Sequence, residues 1–333
     1  MSAIHNVLVT CGGKWVGILL QLREAMRRNV ALAQGRILVA SSDELTPAGC
    51  FADETVQVPP IRDPGYVNSL LEVCRQKRIK VVVPLIDLDL ERLAPHLSRF
   101  AEVGTTVVCP QPELMDLCFD KLAFANFAVL NGLPHPRTVG LSDLKVLKFP
   151  AFYKRRRGFG SIGSGICPSE EEAIRLAAAS PDLVFQNLVN AREVTVDAYI
   201  ARTGRCIVRV SRVRDKVVAG ESYKSHTVCL PLVDALAQHT IEALAREGLR
   251  GPLNVQIFDT AEPVLLEVNT RLGSAVVLSN VAAGGRLLDA MLHEALGGTS
   301  EGDPSDYRIG LHLNRFLGDV FHAGTEVVAV KPQ

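Results

Sequence analysis

The chain has 333 residues, 47% of them apolar and 22% charged, enough to bury full cores in about two or three structural units of the usual ~100–200 residues. Acids and Lys+Arg number 36 each, so no net field draws the protein to nucleic acid or to an anionic membrane, and any anion it binds must be recognised locally. No run approaches the ~20 apolar residues of a membrane span, and the eight cysteines form no C-x-x-C or zinc spacing, so they read as small buried hydrophobes in a reducing compartment.

The start, MSAIHNVLVTCGG, has no basic segment, long apolar stretch or cleavage site and leads almost directly into a strand, so a cytoplasmic protein is expected. NVLVTC, RILVASS, DETVQVP, VVVPLI and TTVVCP read as strands. Between them lie helical patterns over about Val16 to Arg28, PGYVNSLLEVCRQKRI and DLDLERLAPHLSRFA. Strands that are nearly all apolar and alternate with helices predict a parallel sheet covered on both faces, so residues 1–110 are expected to form a doubly wound α/β unit. Its first turn, CGGKWVG, lacks the full G-x-G-x-x-G and suits either an anion at a helix N-terminus or a tight packing turn. Asp87 and Asp89 follow a strand, where open α/β sheets bind ligands. They are candidates to meet an amine, with Asp87 equally suited to cap a helix.

A helix is expected from about Pro112 to Asn131, carrying Lys121 in FDKLAFANF, and LKFPAFYK reads as the next strand. KRRRGFGSIGSG follows, with Gly158, Gly160 and Gly163 in the G-x-G-x-x-G spacing. A dinucleotide fingerprint would open a helix directly. Here a helix begins only after Ser169, which forms a capping box with Glu172. The kinase alternative lacks H-R-D and D-F-G. The stretch therefore reads as a glycine loop between antiparallel strands, either a solvated basic turn or a flap whose bare N–H groups wrap phosphate oxygens. In the flap reading Lys154 and Arg156 add charge and Ser161 lies within the loop.

DLVFQNLV and EVTVDAYI are strands in which Gln186, Asn187 and Leu188 can meet a base edge and Glu193 can accept from ribose hydroxyls. RVRDKVVAGESYKSHTV carries Arg212, Lys224 and His226, which suit a substrate carboxylate or a solvated strand face. LVDALAQHTIEALAREG is an amphipathic helix, and NVQIFDT and PVLLEVNT form a hairpin. Near-mirror numbering about Ala261 sets Gln256 opposite Glu267, and Asn269, two residues on, shares the face of Glu267. Three oxygen ligands with one charge suit Mg²⁺ that also holds phosphate. Arg271 points the same way and can steady charge on a transferring phosphoryl group.

In this order the pieces resemble the ATP-grasp superfamily of carboxylate–amine ligases: a doubly wound domain, a D-K helix, K-x-R-x-G-x-G-S-x-G, a strand with Glu, N-x-Q and E-V-N-x-R. The last pair is similar to the ATP-binding unit of the carbamoyl phosphate synthase large subunit. The resemblance implies a pre-ATP-grasp domain over 1–110, a linker helix and small lobe over 111–185, and a large lobe over 186–333, with ATP held between the lobes. It implies Lys121 and Lys154 on the nucleotide, Gln186 and Leu188 at the adenine hinge and Glu193 on the ribose. Gln256, Glu267 and Asn269 would bind Mg²⁺, with Mn²⁺ as a substitute, and Arg271 and Lys154 would serve catalysis. Carbamoyl phosphate synthesis uses two such units and an ammonia-releasing partner. A stand-alone ligase of small carboxylates and amines, with no nucleic acid or membrane partner and with homodimer formation open, is therefore the expectation. A non-catalytic ATP or ADP sensor and a nicotinamide oxidoreductase remain as other classes.

Overall fold

A computed structural model of the chain describes residues 5–158, 160, 162–218, 220–323 and 326–329. Strands β1 (Asn6–Thr10), β2 (Ile37–Ser41), β3 (Glu54–Gln57), β4 (Ile79–Pro84) and β5 (Thr106–Val107) make a parallel sheet in the order β3-β2-β1-β4-β5. Val7, Val9, Val39 and Val81 enter one core while Leu8, Leu38 and Val82 enter another, so both faces are covered, as the unbroken apolar runs require. The strand order reverses between β1 and β4, which is where open α/β sheets hold ligands at their carboxyl ends.

Two expected helices are broken. Pro95 divides the stretch after β4 into Asp87–Leu93, a 3-10 turn over Ala94–His96, and Leu97–Glu102, because proline cannot donate to the preceding turn. The stretch over 112–131 is two helices, Pro112–Phe119 and Lys121–Leu130, with Asp120 between them at φ −84° and ψ 107°. The Asp120 carboxylate accepts from the backbone N–H groups of Leu122 (3.0 Å) and Ala123 (3.1 Å) and so starts the second helix.

β6 (Thr138–Val139), β7 (Ala151–Arg155), β8 (Gly165–Cys167) and β9 (Leu183–Asn187) form an antiparallel sheet in the order β6-β9-β7-β8. β9 runs across the expected division after residue 185. The glycine stretch joins β7 to β8, an antiparallel pair, and the Glu170–Ala179 helix starts only afterwards, with the Ser169 hydroxyl accepting from the Glu172 N–H at 3.3 Å.

β10 (Arg192–Ile200), β11 (Cys206–Val218), β12 (Glu221–Thr227), β13 (Gly251–Asp259), β14 (Val264–Asn269) and β15 (His312–Asn314) make a second antiparallel sheet, ordered β14-β13-β10-β11-β12-β15. One face packs through Val194, Val196, Val213, Val255 and Ile257 on the Pro231–Arg246 helix. The alternate residues point the other way, among them the polar Thr195, Asp197, Arg212, Arg214, Asn254 and Gln256. The helices Val16–Arg28 and Arg286–Ala295 share one core with β1, β2 and β4 and with Tyr199, Ile207 and Val210. The parallel unit and the large antiparallel sheet are therefore packed together by apolar burial. Among the described residues no helix is long and apolar enough to cross a membrane, and all eight cysteines are free thiols.

The Asp120 cap gives a direct test. Asp120→Ala is expected to cost about 1–2 kcal/mol in denaturant unfolding, while Asp120→Asn, which still caps, recovers most of it. Equal losses in both variants would place the effect in the part-buried ion pair with Arg156 instead.

Candidate active site

The three sheets enclose a cleft of about 670 Å³, within the range that takes a nucleotide-sized ligand. The carboxyl end of β4 contributes Leu85, Ile86 and Asp87, and the small sheet contributes Phe152, Lys154 and the Gln186–Asn187–Leu188 run. The large sheet contributes its polar face.

Lys154 is 8% exposed, and burial pushes its ammonium below the usual lysine range against the opposing pull of Glu267. Lys121 is shifted in the same direction by the same cause, again with Glu267 pulling the other way. Its Nζ donates to the Gly158 carbonyl at 2.8 Å, which ties the first glycine of the flap to the Lys121–Leu130 helix. Asp87, Asp120 and Glu193 also pull on them but are each paired with an arginine, so the two desolvated ammonium groups share Glu267 and leave a local positive surplus that a polyanion would relieve. Gly160 lies at the flap tip with φ +65° and meets Gly220 at the tip of the β11–β12 hairpin, where a Cβ on Gly220 would sit 3.8 Å from the Gly160 Cα. Arg214 braces that hairpin over the cleft, donating to Glu193 and to the Gly220 carbonyl at 2.7 Å.

The β13–β14 register sets Gln256 opposite Glu267 and Asn254 opposite Asn269. With its amide oriented to suit its neighbours, Gln256 donates to Glu193 Oε1 (3.1 Å) and Glu267 Oε1 (3.3 Å) and accepts from Asn269 Nδ2 (3.2 Å). Four oxygen-bearing side chains thus converge on one side of the cleft. Hard oxygen donors with two carboxylates among them, Glu193 and Glu267, fit Mg²⁺, with water and phosphate completing the shell. Arg271 lies beside them and forms a fork on Asp87, Nε to Oδ1 at 2.8 Å and Nη2 to Oδ2 at 2.7 Å. Asp87 is therefore not a helix cap here, and it lines the cleft with its carboxylate on Arg271. The cap position is Ile86, and the carboxylate reaches across from the parallel unit to orient Arg271.

Beneath this layer Asp197 and Arg212 are buried, 1% and 3% exposed. Asp197 accepts from Arg212 Nε (2.8 Å), Asn254 Nδ2 (2.7 Å) and Ser279 Oγ (2.6 Å), and Arg212 also donates to Ser222 Oγ at 3.2 Å. Arg212 lines the cleft, but its guanidinium is already held by Asp197. Gly273 makes this packing possible, because a Cβ there would lie 2.8 Å from Asn254 Nδ2 and 2.9 Å from Asp197 Oδ1.

Several expected contacts lie elsewhere. Arg156 is drawn out of the cleft by Asp120, to which its Nε donates at 2.7 and 2.9 Å. Arg155 packs against Gly158 and Gly163 and lines the cleft in its place. Gly163 supports Arg155 rather than the cleft wall, and Ser161 lies outside the described residues. Asp89 is fully buried, bonded to the hydroxyls of Thr10 and Tyr66, and does not reach the cleft. His226 pairs across the strands with Val213, which faces the Pro231–Arg246 helix, so His226 and Lys224 share the side away from the cleft.

Residues not anticipated also line the cleft. Trp15 follows the glycine turn after β1, and Arg315 lies over its ring at 5.6 Å. Asn254 carried a signal in the period-two run N-x-Q, and Asp197, beneath the cleft lining, in E-x-T-x-D. His135 sits in the NGLPHPR turn with its ring edge-on to Phe124 at 5.9 Å and Nε2 3.2 Å from the Leu266 carbonyl, to which it donates. Burial, then the neighbouring Lys154 charge, hold its pKa down at about 4.

Comparison with known proteins agrees with this architecture. Residues 7–108 match the family model for the PylC-like N-terminal domain, and residues 179–315 match the model for ATP-grasp in the biosynthetic pathway with Ter operon. The large chain of carbamoyl phosphate synthase from Campylobacter jejuni is 23% identical over 242 residues, covering 66% of this chain and 22% of that protein. The chain therefore spans about a fifth of that relative. Among solved structures, biotin carboxylase from Campylobacter jejuni, crystallised with a β,γ-ATP compound, has TM-score 0.73 at 14% identity, covering 93% of this chain and 75% of the other. The biotin carboxylase domain dimer of 2-oxoglutarate carboxylase from Hydrogenobacter thermophilus, with MgADP, ADP and bicarbonate, has TM-score 0.74 at 15% identity, covering 93% and 74%. The L-amino acid ligase from Bacillus licheniformis has TM-score 0.69 at 16% identity, covering 90% and 76%. The chain thus has the ATP-grasp fold behind a PylC-like N-terminal domain.

Two stability outcomes follow from the site. Asp197→Ala strands the buried Arg212 charge and is expected to cost about 3–5 kcal/mol in urea unfolding. His135 takes up its proton near pH 4 when folded but near the ordinary histidine value of 6.5 when unfolded, so its contribution falls as pH drops through that window. Between pH 7 and pH 5 the wild type is expected to lose about 2 kcal/mol more than His135→Asn, as read by paired denaturation curves at the two pH values.

Proposed function

We propose that the chain is an ATP-dependent ligase that joins a carboxylate to an amine and releases ADP and phosphate. The observation that carries this reading is the meeting, in one cleft, of two desolvated lysines and the Gln256–Glu267–Asn269 oxygen set, contributed by residues as far apart as Lys121 and Asn269. Lys121 and Lys154 take the phosphates, while Gln186 and Asn187 at the end of β9 and Leu188 just after it meet the adenine edge. Glu193 lies next to Gln256, at the border between the ribose and the metal ligands. Gln256, Glu267 and Asn269 hold Mg²⁺, or Mn²⁺ in its place, which when bound neutralises phosphate charge.

In the reaction a carboxylate oxygen of the substrate attacks the γ-phosphorus, and the bond to the bridging oxygen breaks, releasing ADP. An amine nitrogen then attacks the acyl carbon of the acyl phosphate. Phosphate leaves with the electron pair of the broken C–O bond, and the ammonium proton passes to water. Arg271, oriented by Asp87, supplies a fixed charge beside the transferring group, so little reorganisation is needed as negative charge builds. The touching tips of the flap and the β11–β12 hairpin keep out water that would hydrolyse the intermediate. A cytoplasmic setting completes the reading, and the dimeric biotin carboxylase neighbour is consistent with a homodimer.

The test is ADP release with Mg²⁺ across a panel of amino acids and small carboxylic acids. Lys154→Ala and Glu267→Ala are each expected to lose at least ~100-fold of the best activity, the scale of one lost stabilising contact. Unchanged turnover in both variants would remove the proposed site. Nucleotide binding without ADP release over the whole panel would favour a sensor.

A further inference from the structure

Asp215, His226 and His312 cluster on the side of the large sheet away from the cleft, each offering a ligand atom within 4.8 Å of the others'. Three separate strands build the cluster. His226 on β12 pairs with Val213 on β11 and with His312 on β15, and Asp215 lies two residues beyond Val213. His226 Nδ1 is 2.8 Å from Asp215 Oδ2, with both side chains about one-third exposed, at 28% and 35%. The two imidazoles stack at 5.1 Å between centroids and 23° between planes. Stacked imidazoles beside a carboxylate, at a sheet edge and outside the apolar core, have no part in the cleft chemistry.

We propose that this cluster is a second metal site, for a borderline-soft divalent ion of the Zn²⁺ class. Two imidazoles and one carboxylate are the donor set that such ions prefer over Mg²⁺, whose ligands are oxygens. The ion takes the place of the proton now shared by His226 and Asp215. Ligands at about 2.1 Å from a tetrahedral centre need only a small opening of that 2.8 Å contact, and His312 closes the third position. Water fills the fourth, since the cluster faces solvent.

The site would act as a clip. β15 has only three residues and, among the described residues, pairs at the sheet edge with β12 alone. One residue past β15, Arg315 crosses to the cleft side, donates to the Ser274 carbonyl and lies over Trp15, both cleft residues. Asp215 stands at the base of the hairpin whose tip meets the flap at Gly160. A bound ion therefore fastens the edge strand and that hairpin without touching the nucleotide side.

The test uses Zn²⁺ alone, titrated into the full chain by competition with a chromophoric chelator, with excess Mg²⁺ to occupy oxygen sites. A Cys229→Ser background removes the exposed thiol. One Zn²⁺ per chain is expected, bound at least ~10-fold more weakly in His226→Ala and in His312→Ala. Zn²⁺ should raise the Tm of the Cys229→Ser protein and not that of the double histidine variant. Equal metal-free Tm values show that the variants fold. Equal Zn²⁺ affinity in the background and in the double histidine variant would overturn the proposal. The readout requires no turnover, so it stands or falls separately from the ligase reading.

Discussion

The polar face of the large sheet depends on one buried charge. Asp197 lies out of reach of water, and an isolated carboxylate there would be strongly unfavourable. Three donors from three elements answer it: Arg212 on β11, Asn254 on β13 and Ser279 on the Val276–Ala282 helix. Satisfying Asp197 fixes the side chains on both neighbouring strands at once. The row above it, from Glu193 through Gln256 to Glu267 and Asn269, is presented from a rigid floor rather than from loops. Preorganisation of this kind lets oxygen ligands and charges act without moving.

The second constraint is the union of the parallel unit with the large sheet. Apolar burial between the Val16–Arg28 and Arg286–Ala295 helices supplies the area, and the Asp87–Arg271 fork supplies direction. The fork joins residues 184 positions apart in the chain. It gives the end of β4 a place in the cleft although, among the described residues, the oxygen-bearing cluster around Gln256 comes from the large sheet. Ligands of open α/β sheets gather at this kind of strand-order reversal, and here the reversal delivers an orienting carboxylate.

Electrostatics in the cleft are arranged in pairs with a surplus. Arg212, Arg214 and Arg271 each face their own acid, Asp197, Glu193 and Asp87. Lys121 and Lys154 share the influence of Glu267. Both ammonium groups pay a desolvation cost that a polyphosphate would offset, so charge complementarity appears only with the ligand present.

The sequence alone determined the local periodicities. Unbroken apolar runs separated by helical patterns forced a parallel sheet, and the near-mirror numbering about Ala261 set Gln256 opposite Glu267. The absence of a helix directly after the glycines made that stretch a strand-to-strand loop. What only the tertiary structure decided was the partner of each charge. Arg155 and Arg156 are adjacent and chemically alike, and Asp120, which also caps a helix, draws one of them away from the cleft. His226 and Arg212 sit in one basic stretch, yet the β11–β12 register turns them to opposite faces. Asp87 and Arg271 are unrelated until two domains pack together. Periodicity is a property of neighbouring residues and can be read along the chain. Ion pairing and burial depend on distances between segments, which no spacing in the sequence encodes.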